Sequence, residues 1–573
     1  MANVTDAPRQ AVLDTEGMDR GVGFFGLLWS SEGSLIGSGW LFGALTAATI
    51  AGPSALIAWG IATVIMLILA LIHAELGGLF PVTGGTSRFP HYAFGSLAGG
   101  TFGWFSFLQA ATVAPIEVLA VIQYASSYNW AKSWYTGTTL HGAGIPIAIG
   151  LLFVAVVINI IGVRWFARIN NAFTVWKVFV PILAIVALLV SHPHWGNFSS
   201  HGFFVHNGGA LKNILIAVPL GGIVFSLLGF EQAVQLAGEA RNPKDVPRAV
   251  ITSLLIGGAL YIIIQVAFIA TLEPSLLASA HTWTNLGPGN NNSSVQALNS
   301  APFYSVAKFA GLTWLAIILR LDSSISPGGT ALIYTTSTSR LLFGLSKNGY
   351  VPEVLERTSM RSRVPILAIL VSGVIGVIFL LPFPSWTKLV GVVTDASVMM
   401  YAGAPLAMGA LRRQKPDLPR IYRLPAGRIV APIGFMCASL IIYWTGWSIY
   451  STLMVAMIIG YVIMGVSGVL GLNEGRTKFD LRSGFFVFPY LIGMGIISYL
   501  GQFSQPSAGI LDGIGVFKTV LVGGTHDIPF YWDLAIVAAF SLAIYMIAMH
   551  FCLPESQVDE NVREVYPTEL PAE

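Results

Sequence analysis

The chain has 573 residues, of which 54% are hydrophobic and only 10% charged, with a mean hydropathy of +0.72 and a formal net charge of +3. A soluble domain carries roughly 25% charged residues, so the composition excludes a soluble enzyme and requires a polytopic membrane protein. Its two cysteines, Cys437 and Cys552, lie in separate apolar stretches and are read as neither a disulfide nor metal ligands.

Residues 1–20 are polar and mixed in charge, with no apolar stretch, so no cleaved signal peptide is expected and the N-terminal tail is set at 1–22. Spans of about 20 apolar residues then recur fourteen times. They cover 23–50, 54–77, 99–128, 145–163, 170–191, 212–238, 249–272, 303–343, 364–382, 387–411, 429–447, 448–470, 484–504 and 531–553. These are segments 1 to 14. Segment 8 is long enough to include an extension beyond the bilayer, and the hairpin between segments 11 and 12 is barely visible.

Basic residues set the orientation. Of the 30 Lys and Arg, seven fall away from one face: Lys132, Lys212, Lys308, Lys388 and Lys518 in loops of the other face, and Lys177 and Arg320 within spans. The rest crowd into the two termini and every second loop, most densely in "RNPKDVPR" (241–248) and "RRQKPDLPRIYR" (412–423). That face is therefore expected to be cytoplasmic and to hold both termini. The longest external stretches, 192–211, 273–302 and 505–530, are too short for a catalytic domain. Within them "GPGNNNSS" (287–294) reads as a flexible loop. Four histidines in "SHPHWGNFSSHGFFVH" (191–206) have no spacing that constrains a metal site, and no metal or cofactor is expected. The acidic tail, 554–573, reads as disordered.

Two segments are interrupted. "SLIGSGWLFG" (34–43) puts Gly37, Ser38 and Gly39 near the middle of segment 1, and segment 6 carries Gly229 followed at once by Glu231 and Gln232. Gly33 and Gly37 also form a GxxxG pair, which by itself is a helix-packing signal. The matching break five spans later changes the balance, because glycine-interrupted spans at corresponding positions of two halves point to an inverted-repeat transporter. An odd number of spans per repeat makes the second half enter the membrane upside down. In a broken helix the free N–H groups and the positive dipole end attract a carboxylate, and the free carbonyls attract an ammonium or a cation. Two such helices packed antiparallel answer both ends of a zwitterion, so an α-amino acid is the natural ligand.

At these positions the sequence resembles the amino acid–polyamine–organocation (APC) permeases. "IGSGWLFG" (36–43) is similar to their first-helix glycine motif, and "AELGGLFPVTGGTSRFPHYAFG" (74–95) to the loop after their second span. "FSLLGFEQAVQLAGEARNPKDVPRA" (225–249), "LDSSISPGGTALIYTTSTSRLLFGLSKNGYVP" (321–352) and "RIYRLP" (420–425) continue the likeness, which spans roughly residues 20–425. It implies an all-α, five-plus-five inverted-repeat fold of the leucine-transporter type with discontinuous helices 1 and 6. The first repeat is then 23–191 and the second 212–411, with additional helices 11–14 over 429–553. It also implies alternating access around a midplane site. Carried over by residue, Ile36, Gly37, Ser38 and Gly39 meet the solute carboxylate. Phe225, Ser226, Leu228 and Gly229 meet its amino group and side chain, and Phe230 is a hydrophobic gate. The tryptophan that some cationic-amino-acid members carry just before the sixth-helix break is missing here.

Ionisable residues inside a membrane are functional candidates by default. Lys177 lies where similar proton-coupled members place a lysine in the space of the sodium ion of sodium-coupled relatives; the alternative is a lysine snorkelling to the interface. In segment 8, Asp322 or the nearby hydroxyls of Ser323 and Ser326 are expected to face Lys177; the alternative is a purely structural local pairing of Arg320 with another buried group. Glu117 in segment 3 is a candidate pocket residue that would favour cationic side chains, or else a structural group. Glu231 is expected to hold the unwound backbone, and Glu75 to be structural. The reading is a proton-coupled amino acid transporter of the plasma (inner) membrane, monomer or homodimer, with amino acid, protons and the lipid bilayer as partners. An exchanger, a cationic amino acid or polyamine carrier, and a non-transporting amino acid sensor are the alternatives. No phosphate loop, HExxH or nucleophile elbow is present to support an enzyme.

Overall fold

The computed structural model describes residues 21–136, 138–161, 163–359, 364–473, 480–504 and 524–563. Most of the N-terminal tail, residues 564–573 and most of the loop between segments 13 and 14 lie outside the described residues. Each of the fourteen segments is helical in its described part, and strand is confined there to the two-residue pair Tyr135–Thr136 and Thr139–Leu140. Among the described residues, ten helical stretches are long and apolar enough to cross a membrane. The remaining segments fall outside that set for separate reasons. Segment 6 is broken into Ala210–Leu220, Ile223–Ser226 and Gln232–Gln235, and segment 9 is the shorter apolar helix Ile366–Leu380. Segment 8 is long, Thr313–Lys347, but rich in Ser and Thr.

Segments 1 and 6 run antiparallel, as an odd number of intervening spans requires. Where segment 1 begins, Val22 donates to the carbonyl of Glu239 at 3.1 Å and Arg241 donates to Val22 at 2.8 Å, just past the end of segment 6. Where segment 1 ends, Ser54 donates to the carbonyl of Phe203 at 3.0 Å, just before segment 6 starts. The two faces of the molecule are named here the terminal face, at Val22, and the opposite face, at Ser54. Helices Ser96–Ala125, Thr313–Lys347 and Trp386–Gln414 pack around this antiparallel pair, and the first of them packs on both of the others. On the terminal face Glu75 binds Arg412 through both carboxylate oxygens and accepts from the Leu424 N–H at 2.7 Å. That contact ties "RIYRLP" to the end of segment 2, the structural role expected of Glu75.

Three expectations need correction. Segment 8 does not start at 303: Pro302–Phe309 is a separate short helix, and the chain turns at 310–312 before the long helix begins. "GPGNNNSS" is not loop throughout, because the Asn292 side chain accepts from the Ser294 and Val295 N–H groups and starts the helix Ser293–Ser300. The tail is ordered as far as it is described. Glu555–Arg563 is a helix whose Val558 and Val562, four residues apart, are buried. Its acidic side pairs Glu555 and Asp559 with Lys415 at 3.0 and 2.5 Å.

Candidate functional site

Segment 1 leaves helical geometry at Ile36 (φ −92°, ψ 78°) and Gly37 (φ −114°, ψ −141°). The last carbonyls of Phe24–Leu35 and the first amides of Ser38–Ala51 therefore lose their intrahelical partners. Side chains from four other segments answer them. The Tyr261 hydroxyl donates to the Leu35 carbonyl at 2.6 Å. The Lys177 ammonium donates to the Gly33 carbonyl and, at 2.7 Å, to the Thr330 hydroxyl, which in turn donates to Gly33 at 3.0 Å. On the other side of the break the Ser38 N–H donates to Glu117 Oε2 at 2.8 Å, and the Ser38 hydroxyl donates to Oε1 at 3.1 Å. A cation thus sits at the carbonyl end of one half-helix and a carboxylate at the amide end of the other, the arrangement that the helix dipoles favour.

Gly37 lies between these two clusters. A Cβ there would be 2.6 Å from Glu117 Oε1 and 2.8 Å from Thr330 Oγ1. The cationic and anionic groups therefore meet across one glycine, and any side chain at 37 would push them apart.

Segment 6 is broken twice, at Gly221–Gly222 and again from Leu227 to Glu231. Gly229 has φ +138°, and a Cβ there would come within 2.7 Å of the Leu35 nitrogen and 2.9 Å of the Ser31 carbonyl. Only glycine allows both that backbone conformation and that approach. At the same crossing a Cβ on Gly39 would lie 3.0 Å from the Ser226 Cα. Glu231 holds the second break. Its carboxylate accepts from the Gly229 N–H (2.8 Å), the Tyr401 hydroxyl (2.8 Å), the Tyr334 hydroxyl (2.9 Å) and Gln109 Nε2 (3.2 Å). A buried carboxylate with four donors is satisfied, so it fixes the bend instead of penalising it.

Between the breaks lies a cavity of about 10 Å³, lined by Gly37, Gly39, Glu117, Phe225, Leu228 and Thr330 with Ser34, Leu35, Val113 and Tyr334. That is about the least volume that holds one water, so the site is contracted and closed. Aromatic layers close it on both sides. Towards the opposite face Phe225 meets Trp386 edge-on at 5.7 Å, and Trp386 packs on Phe42 at 5.1 Å. Towards the terminal face Phe230 stacks on Tyr401 at 5.0 Å with His73 against both rings.

Of the residues expected to contact solute, Gly37, Gly39, Glu117, Phe225 and Leu228 line the cavity. Ile36, Ser38, Ser226, Gly229 and Phe230 do not. Ile36 and Gly37 donate their N–H groups to Glu32 (3.0 Å) and Leu35 (3.2 Å), and the Ser38 N–H is taken by Glu117. Ser226 donates to the Gly222 carbonyl at 2.7 Å and serves the break itself. Phe230 sits behind the cavity, so the ring that covers the space is Phe225. Glu117 is engaged by Ser38 and does not present a free carboxylate to a cationic side chain.

The expected partner of Lys177 is also corrected. Asp322 accepts from Trp40 Nε1 (3.1 Å), Trp176 Nε1 (2.9 Å) and Ser326 Oγ (2.6 Å), and Ser323 donates to the Arg320 carbonyl at 2.7 Å. The hydroxyl on Lys177 is Thr330, one helical turn beyond Ser326. Lys177 is fully buried and held from two sides, which removes the snorkelling alternative. Thr330 was legible in principle: Asp322, Ser326 and Thr330 recur every four residues and share one face of a helix. Tyr261, Tyr334, Tyr401 and Trp386 carried no such signal, since apolar spans are full of aromatic residues that only pack.

Two broken helices crossing antiparallel, each held by buried polar side chains around a closed cavity, define a membrane transporter of the broken-helix class. The chain belongs to the amino acid permease family of the APC superfamily: the family model described as "Amino acid permease" matches residues 22–467. It is a permease, not an enzyme. It is similar to the glutamate/serine transporter AimA of Bacillus subtilis (strain 168), 35% identical over 539 residues, covering 93% of this chain and 94% of that protein. It is also similar to the aspartate-proton symporter of the same organism, 31% identical over 548 residues, covering 94% and 98% of the two chains. The branched-chain amino acid permease BcaP is 25% identical over 472 residues, or 78% of this chain and 92% of that protein.

Proposed function

We propose that this permease carries acidic and small polar amino acids into the cell by proton symport, across a plasma membrane with both termini on the cytoplasmic side. The observation that carries the reading is the Lys177 ammonium, held between the Gly33 carbonyl and the Thr330 hydroxyl. One protonatable group thereby ties together the first half of segment 1, segment 5 and segment 8. With its proton, Lys177 holds the half-helix Phe24–Leu35 against the other two. Without it the attraction for the carbonyl end weakens, and that half of segment 1 is free to move towards an inward-open arrangement.

Glu117 supplies the link to solute. Its carboxylate occupies the Ser38 N–H, the place where a solute carboxylate would bind, and it lies one glycine away from Thr330 and hence from Lys177. A solute that takes over Ser38 releases Glu117, and the released charge acts on the Lys177 proton. The substrate class is supported by the two relatives above 30% identity, a glutamate/serine transporter and an aspartate-proton symporter. Cytoplasmic termini are supported by the crowding of Lys and Arg on the terminal face.

Uptake into proteoliposomes of radiolabelled aspartate, glutamate, serine, leucine and lysine, each with and without an inward proton gradient, tests this reading. Gradient-driven accumulation of aspartate, glutamate or serine, with lysine excluded, is expected. Uptake that needs the same amino acid inside the vesicle would identify an exchanger. Saturable binding with no uptake of any of the five would identify a sensor, and either result overturns the symport reading.

A further inference from the structure

The opposite face carries few basic residues, yet three that are far apart in sequence gather in one place. Lys132 from the loop after segment 3, Lys308 from the short helix Pro302–Phe309 and Arg320 from segment 8 line a cavity of about 800 Å³. No Asp or Glu is among the described residues that line it. Both lysines are exposed at its margin. Arg320 is built into its floor. The guanidinium lies 4.1 Å from the Tyr128 ring centre and 4.0 Å from that of Tyr304, and one terminal nitrogen donates to the Ser127 carbonyl at 3.4 Å. Its buried Nε has no partner.

Two tyrosine faces neutralise none of the charge of a guanidinium. They hold the guanidinium in place with its charge intact, and the terminal N–H donors not taken by Ser127 remain for a carboxylate. A cavity lined by one sign of charge with low-dielectric walls concentrates ions of the opposite sign. The cavity also adjoins elements of the central site. Ser126 and Ser127 follow directly on the helix that carries Glu117, and Glu117 to Ser126 is about 14 Å at 1.5 Å per residue. Tyr304 adjoins Phe303, which packs on Trp40 of segment 1 at 5.2 Å.

We propose that this vestibule is a second binding site, in which Arg320 with Lys132 and Lys308 captures the carboxylate of an acidic amino acid before it reaches the central site. The proposal rests on the transport reading above for its purpose, but the binding itself does not require transport. A dicarboxylate without an amino group separates the two sites. Glutarate lacks the ammonium that the zwitterion site answers, yet has both carboxylates for the vestibule.

Equilibrium binding of radiolabelled glutarate to the purified full-length protein is therefore the test. One glutarate per chain is expected, displaced by aspartate and glutamate but not by serine, and weakened as salt rises from 20 to 300 mM. Arg320→Gln is expected to weaken it at least tenfold and Arg320→Lys less. Lys308→Gln, a change at an exposed position that leaves the fold alone, is expected to weaken it severalfold. In uptake assays Arg320→Gln is expected to raise the KM for glutamate with little change for serine. Absence of glutarate binding by the wild type, equal binding by Arg320→Gln and Lys308→Gln, or displacement by inorganic phosphate as effective as by aspartate would overturn the assignment. Failure of all amino acid uptake with glutarate binding intact would instead overturn the transport reading.

Discussion

Segment 10 and segments 12 and 14 are all helices long and apolar enough to cross a membrane, but they serve opposite surroundings. In the most apolar stretch of Trp386–Gln414 every residue is buried, and in Ser96–Ala125 94% are, against 28% in Trp447–Val469 and 22% in Trp532–Phe551. The inner helices carry the polar chemistry: Glu117, Glu231, Asp322 and Lys177 are buried and all are hydrogen-bonded to groups of other segments or to the bend they hold. The outer pair presents Val462, Ile458 and Met546 outward, each about 60% exposed, as a lipid-facing surface requires. The outer pair is also the more apolar, with a mean hydropathy of 2.1 in the most apolar stretch of each against 1.4 in segment 10 and 1.8 in segment 3.

That contrast predicts a steep gradient of mutational effect. The largest falls at the crossing. Gly229→Ala adds a Cβ within 2.7 Å of the Leu35 backbone at a φ of +138°, and uptake is expected to drop ~100-fold or more with the protein still inserted in the membrane. Normal uptake by this variant would mean that segments 1 and 6 do not touch there.

Glu231→Gln comes next. A carboxamide accepts on one oxygen and turns an NH2 group towards donors that now have no acceptor, among them the hydroxyls of Tyr334 and Tyr401. A cost of about 1–3 kcal/mol is expected, read as a roughly 5- to 150-fold fall in uptake. Tyr401→Phe removes one of the four donors and is expected to cost about 1 kcal/mol. If Glu231→Gln and Tyr401→Phe behave alike, the carboxylate is not the centre of the bend.

Glu75→Gln breaks the two-oxygen contact with Arg412 on the terminal face, away from the cavity. The expected result is a lowered melting temperature with KM unchanged. The smallest effect is expected from Val462→Ala, a lipid-facing position 58% exposed, where uptake and melting temperature stay within error of the wild type. A large loss there would show that the outer helices face protein, as in a dimer, and not lipid.

The breaks at Gly37 and Gly229 are readable from the sequence because glycine in the middle of a span is costly and needs a reason, and because two such spans five apart imply one another; the break at Gly221–Gly222 is not among those read. The groups that close the breaks were only half readable. Lys177, Glu117 and Glu231 stand out as charges in hydrocarbon, and Thr330 shares a helix face with Asp322 and Ser326, whereas Tyr261 is an ordinary residue for a membrane helix and becomes visible only when a free carbonyl is found beside it. The hydrogen-bond partners of Asp322 were not readable, since they are the indole N–H groups of Trp40 and Trp176, residues that also serve as plain packing in a membrane helix. Phe230, which the resemblance implies as a gate, instead stacks on Tyr401 and does not line the cavity. The vestibule was beyond reach, since nothing in a linear reading brings 132, 308 and 320 together.

The measurement that bears most directly on the coupling role of Lys177 is initial-rate glutamate and serine uptake into proteoliposomes, with and without an inward proton gradient, by the wild type and by Lys177→Met. The wild type is predicted to be driven by the gradient. The variant is predicted to lose that drive while still exchanging labelled for unlabelled amino acid at equal pH. A variant that the gradient still drives, or a wild type indifferent to it, would contradict the assignment and leave Lys177 as a structural brace between segments 1, 5 and 8.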